Sequence, residues 1–445
     1  MMKKLPINNL VNDFTLQSIL DLGLKYLLGN KEINKAKRNG KIIIGSFLPP
    51  LEMVYAFDNV LPIFLPRLIE FEYDQYLPIL NFLNKLGVLK NILDYTFKNP
   101  NAFIENLFSS FDTSGYSRVF SGMIDIAANS NYYMDTCVQT RISYGAFIKY
   151  FNLVNMVIGG FEGNYCLHFA KFYERINIYK PMFYFEKPYG NETNEDAVKI
   201  IGKEFERFIN RVEKISGEKF DDEKLMKILE IHQEIRKYFE LIHKLYMRGY
   251  VPLHSAALTL VHGCYVDLLS DPIYCKNKMK QLTNEIYQKY KNNELYNYKK
   301  EGIPRIIIAG SPGFDPALPS IFEEAGAAFL YLDLFQSAKD SKFKVNKKYS
   351  GRELYKRYLI ETNFVDGIID LVDLWLNLAR DIQADGILFS KSWGCRFTTP
   401  AFKILKDRAL SELSIPVLGL DFYTPGENLG QVKTRVEAFV EMIRG

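Results

Sequence analysis

Residues 41–50 read KIIIGSFLPP: three isoleucines in a row, a glycine, and a loop that closes on two prolines ahead of a helix beginning near Glu52. An uninterrupted β-branched run bounded by turn residues predicts a short strand buried on both faces, because a half-exposed strand would alternate apolar with polar. A second apolar run, Val60-Leu-Pro-Ile-Phe-Leu65, completes a strand–helix–strand unit.

The same rhythm continues outward from that unit. Residues 75–130 read as mostly helical, and 155–159 (NMVIG) and 181–185 (PMFYF) as strands, with Gly160, Gly163, Cys166 and a helix after the first of them. From about Asn194 to Arg248 charged and apolar residues alternate at helical spacing, broken near Ser216-Gly217 and restarted by Asp221-Asp222. The second half returns to strands: 305–309 (RIIIA), 327–333, 386–389 (GILF) and 416–420 (PVLGL), with helices expected at 317–325, 365–382, 400–411 and 431–443 and an irregular stretch before 365. Strands alternating with helices predict parallel sheets covered on both faces. The expected fold is α/β: two doubly wound parallel-sheet domains, at 41–190 and 301–445, joined by a helical region at 191–300 and preceded by a lysine-rich helical arm at 1–40.

Composition sets the limits of function. A chain of 445 residues is too long for one compact core. A net charge of +4 is small for this length and argues against a dedicated nucleic-acid binder. The start, MMKKLPINNL, lacks the apolar core of a secretory signal, and no uninterrupted apolar run approaches the ~18 residues of a membrane span. Its most apolar window, 146–160, is interrupted by Lys149 and two asparagines. The five cysteines (Cys137, Cys166, Cys264, Cys275, Cys395) are scattered and contain no C-x-x-C pair, which fits a reducing cytoplasm and excludes the common zinc spacings.

Among motifs, Gly310-Ser-Pro-Gly313 followed by Asp333 imitates a dinucleotide site, but G-x-x-G with an internal proline is not G-x-G-x-x-G. Neither G-x-x-x-x-G-K-[ST] nor G-x-S-x-G occurs, so ATP hydrolysis by a phosphate loop and serine hydrolysis are both set aside. The five histidines are dispersed, and only His168 lies near another candidate residue. On spacing alone the cysteines read as small apolar fillers. Their surroundings differ, however. Cys137 precedes a polar helix start (Gln139, Thr140, Arg141), Cys166 lies in Gly160-Phe-Glu-Gly-Asn-Tyr-Cys-Leu-His, and Cys395 in Lys391-Ser-Trp-Gly-Cys-Arg-Phe. Cys166 and Cys395 follow strands, where open α/β sheets bind ligands, so all three could face one crevice. Cys264 and Cys275 have no such setting and read as structural.

Several blocks in fixed order resemble the 2-hydroxyacyl-CoA dehydratase and benzoyl-CoA reductase family, from about Lys41 to the C-terminus. They are Ile44-Gly-Ser-Phe-Leu-Pro-Pro-Leu-Glu52, Leu65-Pro-Arg-Leu68, the Ser216-Gly217 break before 225–248, the strand start at 305–333, and Gly430-Gln-Val-Lys-Thr-Arg-Val-Glu-Ala-Phe439. The resemblance implies that Cys137, Cys166 and Cys395 hold a [4Fe–4S] cluster. A cube normally takes four thiolates, so three leave one iron open. It further implies an acyl-CoA substrate, a related second subunit, an ATP-driven electron donor, and a reaction started by one low-potential electron that makes a ketyl radical anion of the thioester. Ser46 is the remaining catalytic candidate, with turn formation as its simpler role. Arg67 stands where some substrate-binding subunits of the family carry an acid. The activity implied is that of a 2-hydroxyacyl-CoA dehydratase subunit. Its alternatives are a benzoyl-CoA reductase subunit, an electron-transfer protein of the same fold, and a redox-inert binding protein.

Overall fold

The computed structural model describes residues 16–46, 51–68, 113–159, 167–185, 195–253, 257, 261, 267–310, 318–330, 343–361, 368–395 and 398–445. Helix α1 (Gln17–Arg38) leads into β1 (Ile42–Ser46), and a single 3-10 turn at Glu52–Ala56 leads to β2 (Val60–Phe64). The expected helix after Pro50 is thus one short turn. Its Glu52, Met53, Val54 and Ala56 are all buried, leaving no polar face of the kind an amphipathic helix presents. Next come α2 (Thr113–Asn129), α3 (Val138–Tyr150), β3 (Met156–Gly159), α4 (Leu167–Tyr179) and β4 (Met182–Tyr184). Most of the helical stretch expected from residue 75 lies outside the described residues.

The helical region comprises α5 (Glu195–Ser216), α6 (Asp222–Met247) and α7 (Pro272–Lys291). The chain continues through β5 (Arg305–Gly310), α8 (Leu318–Glu324), β6 (Ala328–Leu330), α9 (Gly351–Glu361), α10 (Ile368–Asp381), β7 (Gly386–Ser392), α11 (Ala401–Arg408), β8 (Val417–Phe422) and α12 (Leu429–Arg444). The strands form two four-stranded sheets, in order β2-β1-β3-β4 and β6-β5-β7-β8, and every pairing is parallel. Pro62 is tolerated because β2 lies at the edge of its sheet.

The first sheet shows why three isoleucines were needed. Ile44, Met156 and Ile158 face one core with Phe205 and Phe208 of α5, Leu225 and Leu229 of α6 and Tyr355 and Tyr358 of α9. Ile43, Ile63 and Val157 face the other, with Ile33 of α1, Met123 of α2, Phe147 of α3 and Phe172 of α4. Successive strand residues point to opposite faces, and here both faces are covered.

The 26-residue α6, about 39 Å long, joins the two halves. Leu225 and Leu229 near its start belong to the first sheet's core, whereas Ile235, Phe239, Ile242 and Leu245 belong to the second sheet's. Its start is capped as the sequence predicts, the Asp221 carboxylate accepting the Lys224 N–H at 2.9 Å. Helix α9 is a correction to the irregular stretch expected there. It returns from the second sheet to the first, packing Leu354, Tyr355, Tyr358 and Leu359 against α5 and α6.

Candidate functional site

In each sheet the strand order reverses between its first strand and a later one, β1 and β3 in one and β5 and β7 in the other, making two topological switch points. Cys395 lies three residues past the end of β7. Cys166 lies past the end of β3, outside the described residues, and α4 begins at the next residue.

Cys137 is the N-cap residue of α3, extended at φ −64° and ψ 149°. Its thiol therefore stands at the positive end of the helix dipole. The helix is pinned by close backbone packing. A Cβ at Gly145 would lie 1.8 Å from the Met123 carbonyl oxygen, so only glycine lets α3 approach α2 this far. The Cys137 N–H donates to Nδ1 of His168 at 3.0 Å. His168 is buried in the first turn of α4, two residues beyond Cys166. Since Nδ1 accepts, the ring proton of the neutral imidazole resides on Nε2.

Cys395 reaches the same place from the other half of the chain. After β7 the Trp393 N–H donates to the Phe422 carbonyl (2.8 Å) and the Cys395 N–H to the Ser392 carbonyl (2.9 Å), closing a tight turn. Gly394 in that turn has φ +78°, and a Cβ on it would stand 3.2 Å from the Thr136 carbonyl oxygen and 3.3 Å from the Cys137 Cα. The turn carrying Cys395 is thus seated directly on the backbone that carries Cys137.

Both Cys137 and Cys395 have a threonine hydroxyl beside the sulfur: Thr140 Oγ1 lies 3.4 Å from Cys137 Sγ, and Thr398 Oγ1 3.1 Å from Cys395 Sγ. The Thr140 hydroxyl also contacts the Cys137 carbonyl oxygen at 2.9 Å. The sequence reading missed this pair, although its signal was present as Cys-x-x-Thr at both places. On the same rim the Arg141 guanidinium lies 5.3 Å from the centre of the Trp393 ring, and Trp393 in turn leans on Tyr423. Burial lowers the Arg141 pKa, while Cys137 and Glu427 raise it.

The other candidates lie elsewhere. Ser46 is the last residue of β1, fully buried and in register with Ile158 of β3 at the first switch point. Arg67 is buried in an ion pair with Asp267, which explains why a cation is tolerated there. Cys275 is buried in α7 within the core, and burial, with Asp267 and Asp271 nearby, pushes its thiol far up, as a structural cysteine requires. Cys264 lies outside the described residues. Glu52 accepts from the Tyr358 and Tyr355 hydroxyls (2.7 and 3.1 Å) and pairs with His232 at 2.7 Å, linking the turn after β1 to α6 and α9.

Soft thiol donors on facing turns, at a helix N-terminus, suit a thiophilic metal such as iron. Among the described residues no group of three His, Cys, Asp or Glu side chains converges on one point. No described helix is long and apolar enough to cross a membrane.

Comparison with known proteins supplies a second line of information. The family described as "2-hydroxyglutaryl-CoA dehydratase, D-component" matches residues 50–443. The alpha subunit of (R)-2-hydroxyglutaryl-CoA dehydratase from Acidaminococcus fermentans is 26% identical over 288 residues, 62% of this chain and 58% of the relative. The beta subunit of (R)-phenyllactyl-CoA dehydratase from Clostridium sporogenes is 24% identical over 269 residues, 57% of this chain and 66% of the relative. The chain therefore matches less than two thirds of either relative's length.

Proposed function

This chain belongs to the 2-hydroxyglutaryl-CoA dehydratase D-component family, and on that premise we propose that it is the iron–sulfur subunit of a radical-type 2-hydroxyacyl-CoA dehydratase. The reaction removes water from a 2-hydroxyacyl-CoA through a ketyl radical anion. One electron enters the thioester carbonyl, hydroxide leaves C2, a proton leaves C3, and the electron is recovered. Both similar proteins are named as dehydratase subunits, which supports dehydration over reduction of an aromatic ring.

The observation that carries the reading is the seating of the Cys395 turn on the Cys137 backbone, through Gly394. The His168 contact brings the helix that follows Cys166 to the same point. Cys137, Cys166 and Cys395 would hold a [4Fe–4S] cluster, Cys137 from a helix N-terminus and Cys395 from the turn after β7. When bound, such a cluster supplies a low-potential electron and an open iron that can act as a Lewis acid toward the thioester carbonyl. The protein's part is to shield the thiols: Cys137 is buried and Cys395 half-buried. On this reading the protein works in a reducing cytoplasm, which its scattered, unpaired cysteine spacing supports, with a related second subunit and an ATP-driven electron donor as partners.

Anaerobic purification of the five single Cys→Ser variants, with iron, sulfide and visible absorbance measured, tests this reading. Serine oxygen is a poor substitute for thiolate toward iron. Cys137→Ser, Cys166→Ser and Cys395→Ser should each lose the cluster, while Cys264→Ser and Cys275→Ser retain it. A colourless, iron-free wild type, or loss in Cys264→Ser with retention in Cys137→Ser, overturns it.

A further inference from the structure

Arg141 is a partly buried cation for which the described structure provides no counter-ion. It follows Cys137 by one turn of α3, its N–H donating to the Cys137 carbonyl at 3.2 Å, so the two side chains share a helix face. Its Nε is buried without a hydrogen-bond partner, and among the described residues the guanidinium forms no ion pair. The contact that holds it is the face of Trp393, two residues before Cys395. The guanidinium is therefore fixed between the two cysteine-bearing turns, by α3 on one side and the turn after β7 on the other. The acidic groups that act on it are Cys137, Glu427 and the Tyr132 hydroxyl.

Burying the Nε edge of a guanidinium without a partner is unfavourable unless something negative completes the site. Thiolate ligands around an iron–sulfur core carry net negative charge, and that charge grows by one on reduction. We propose that Arg141, clamped on Trp393, is the positioning cation that offsets the charge of the thiolate-bound cluster and so holds its reduction potential up. The inference rests on the iron–sulfur reading above and adds a residue to it. The competing role is packing alone, an arginine stem covering an exposed tryptophan. Loss of charge separates the two, because removing a nearby cation makes adding an electron harder whereas removing a stem does not.

The experiment is an anaerobic redox titration of the purified chain, followed by electron paramagnetic resonance with iron counted in each sample, for wild type, Arg141→Gln and Arg141→Lys. Arg141→Gln should keep its iron and titrate at a more negative potential, and Arg141→Lys should titrate close to wild type. Equal potentials for wild type and Arg141→Gln at full iron content overturn the proposal and leave the cluster reading standing. Should Arg141→Gln shed iron, the proposal requires Arg141→Lys to retain it, and equal depletion in both variants overturns it. An iron-free wild type overturns this proposal and the cluster reading together.

Discussion

Gly394 concentrates at one residue what joins the two cysteine turns. At φ +78° any side chain is strained, and a Cβ would press within 3.2–3.3 Å of the Thr136 and Cys137 backbone. Alanine there is expected to destabilise the chain by about 1–3 kcal/mol and to push the Cys395 turn off the start of α3. Chemical denaturation of Gly394→Ala should show that loss, and its iron per chain should fall below wild type; wild-type iron content would mean that the seating is not needed for the site. The residue types at this place were legible in the sequence, since Gly-Cys after a strand and Cys before a polar helix start both stood out. Their adjacency was not legible. It is created by a turn in one half of the chain touching a cap in the other, and no local pattern encodes a contact across that distance. Arg141 failed to stand out for a similar reason, because its platform, Trp393, comes from the opposite half.

At the scale of elements, periodicity and caps carried most of the information where they were local. The isoleucine strand, the Asp221 cap and the alternation of strands with helices could all be read. Helix α9 was missed. Its local signal, Ser350-x-x-Glu353, was in the sequence, and the Ser350 hydroxyl accepts the Glu353 N–H at 3.2 Å. Two more of its first N–H groups are satisfied from a distance by Asp222 of α6, whose carboxylate accepts from Gly351 (2.9 Å) and Arg352 (2.8 Å). Its inward face is held by Glu52, another distant residue, through Tyr355 and Tyr358. Burial pushes the Glu52 carboxyl up, but His232 and the Tyr358 hydroxyl outweigh burial and hold it at about 2, against an ordinary 4.5. A carboxyl depressed on folding stabilises the native state above its unfolded pKa and loses that contribution as pH falls through its folded pKa. Burial also lowers the His232 pKa, so near neutral pH the carboxylate is held chiefly through the hydrogen bonds it accepts, and Glu52→Gln should cost about 1–3 kcal/mol there. The gap from wild type should narrow between pH 4.5 and about 2. Urea titrations of both proteins across that range check it, and a gap independent of pH would show that the carboxylate charge is not what anchors α9.

On the scale of the whole molecule, α6 runs from one core into the other, and the cysteine turns meet where the two halves touch. Such a junction can present a cluster to substrate without itself supplying everything the reaction needs. On the dehydratase reading proposed above, the strongly reducing electron comes from a separate ATP-driven donor. On the same reading three cysteines of one chain account for a single cluster, and the two similar proteins are each named as one subunit of a dehydratase. The isolated chain should therefore bind iron yet turn over a 2-hydroxyacyl-CoA negligibly, even with dithionite as reductant. Adding the related subunit, the donor protein and ATP together should start catalysis. Because the electron is recovered at the end of each dehydration, activity should persist for many turnovers after a brief pulse of donor and ATP, whereas ring reduction would stop as soon as the reductant ran out. Turnover assays with donor withdrawn after activation distinguish these outcomes: sustained product formation is expected, strict one-to-one coupling to electrons supplied would replace dehydration with reduction, and sustained turnover by the chain alone would remove the need for a partner.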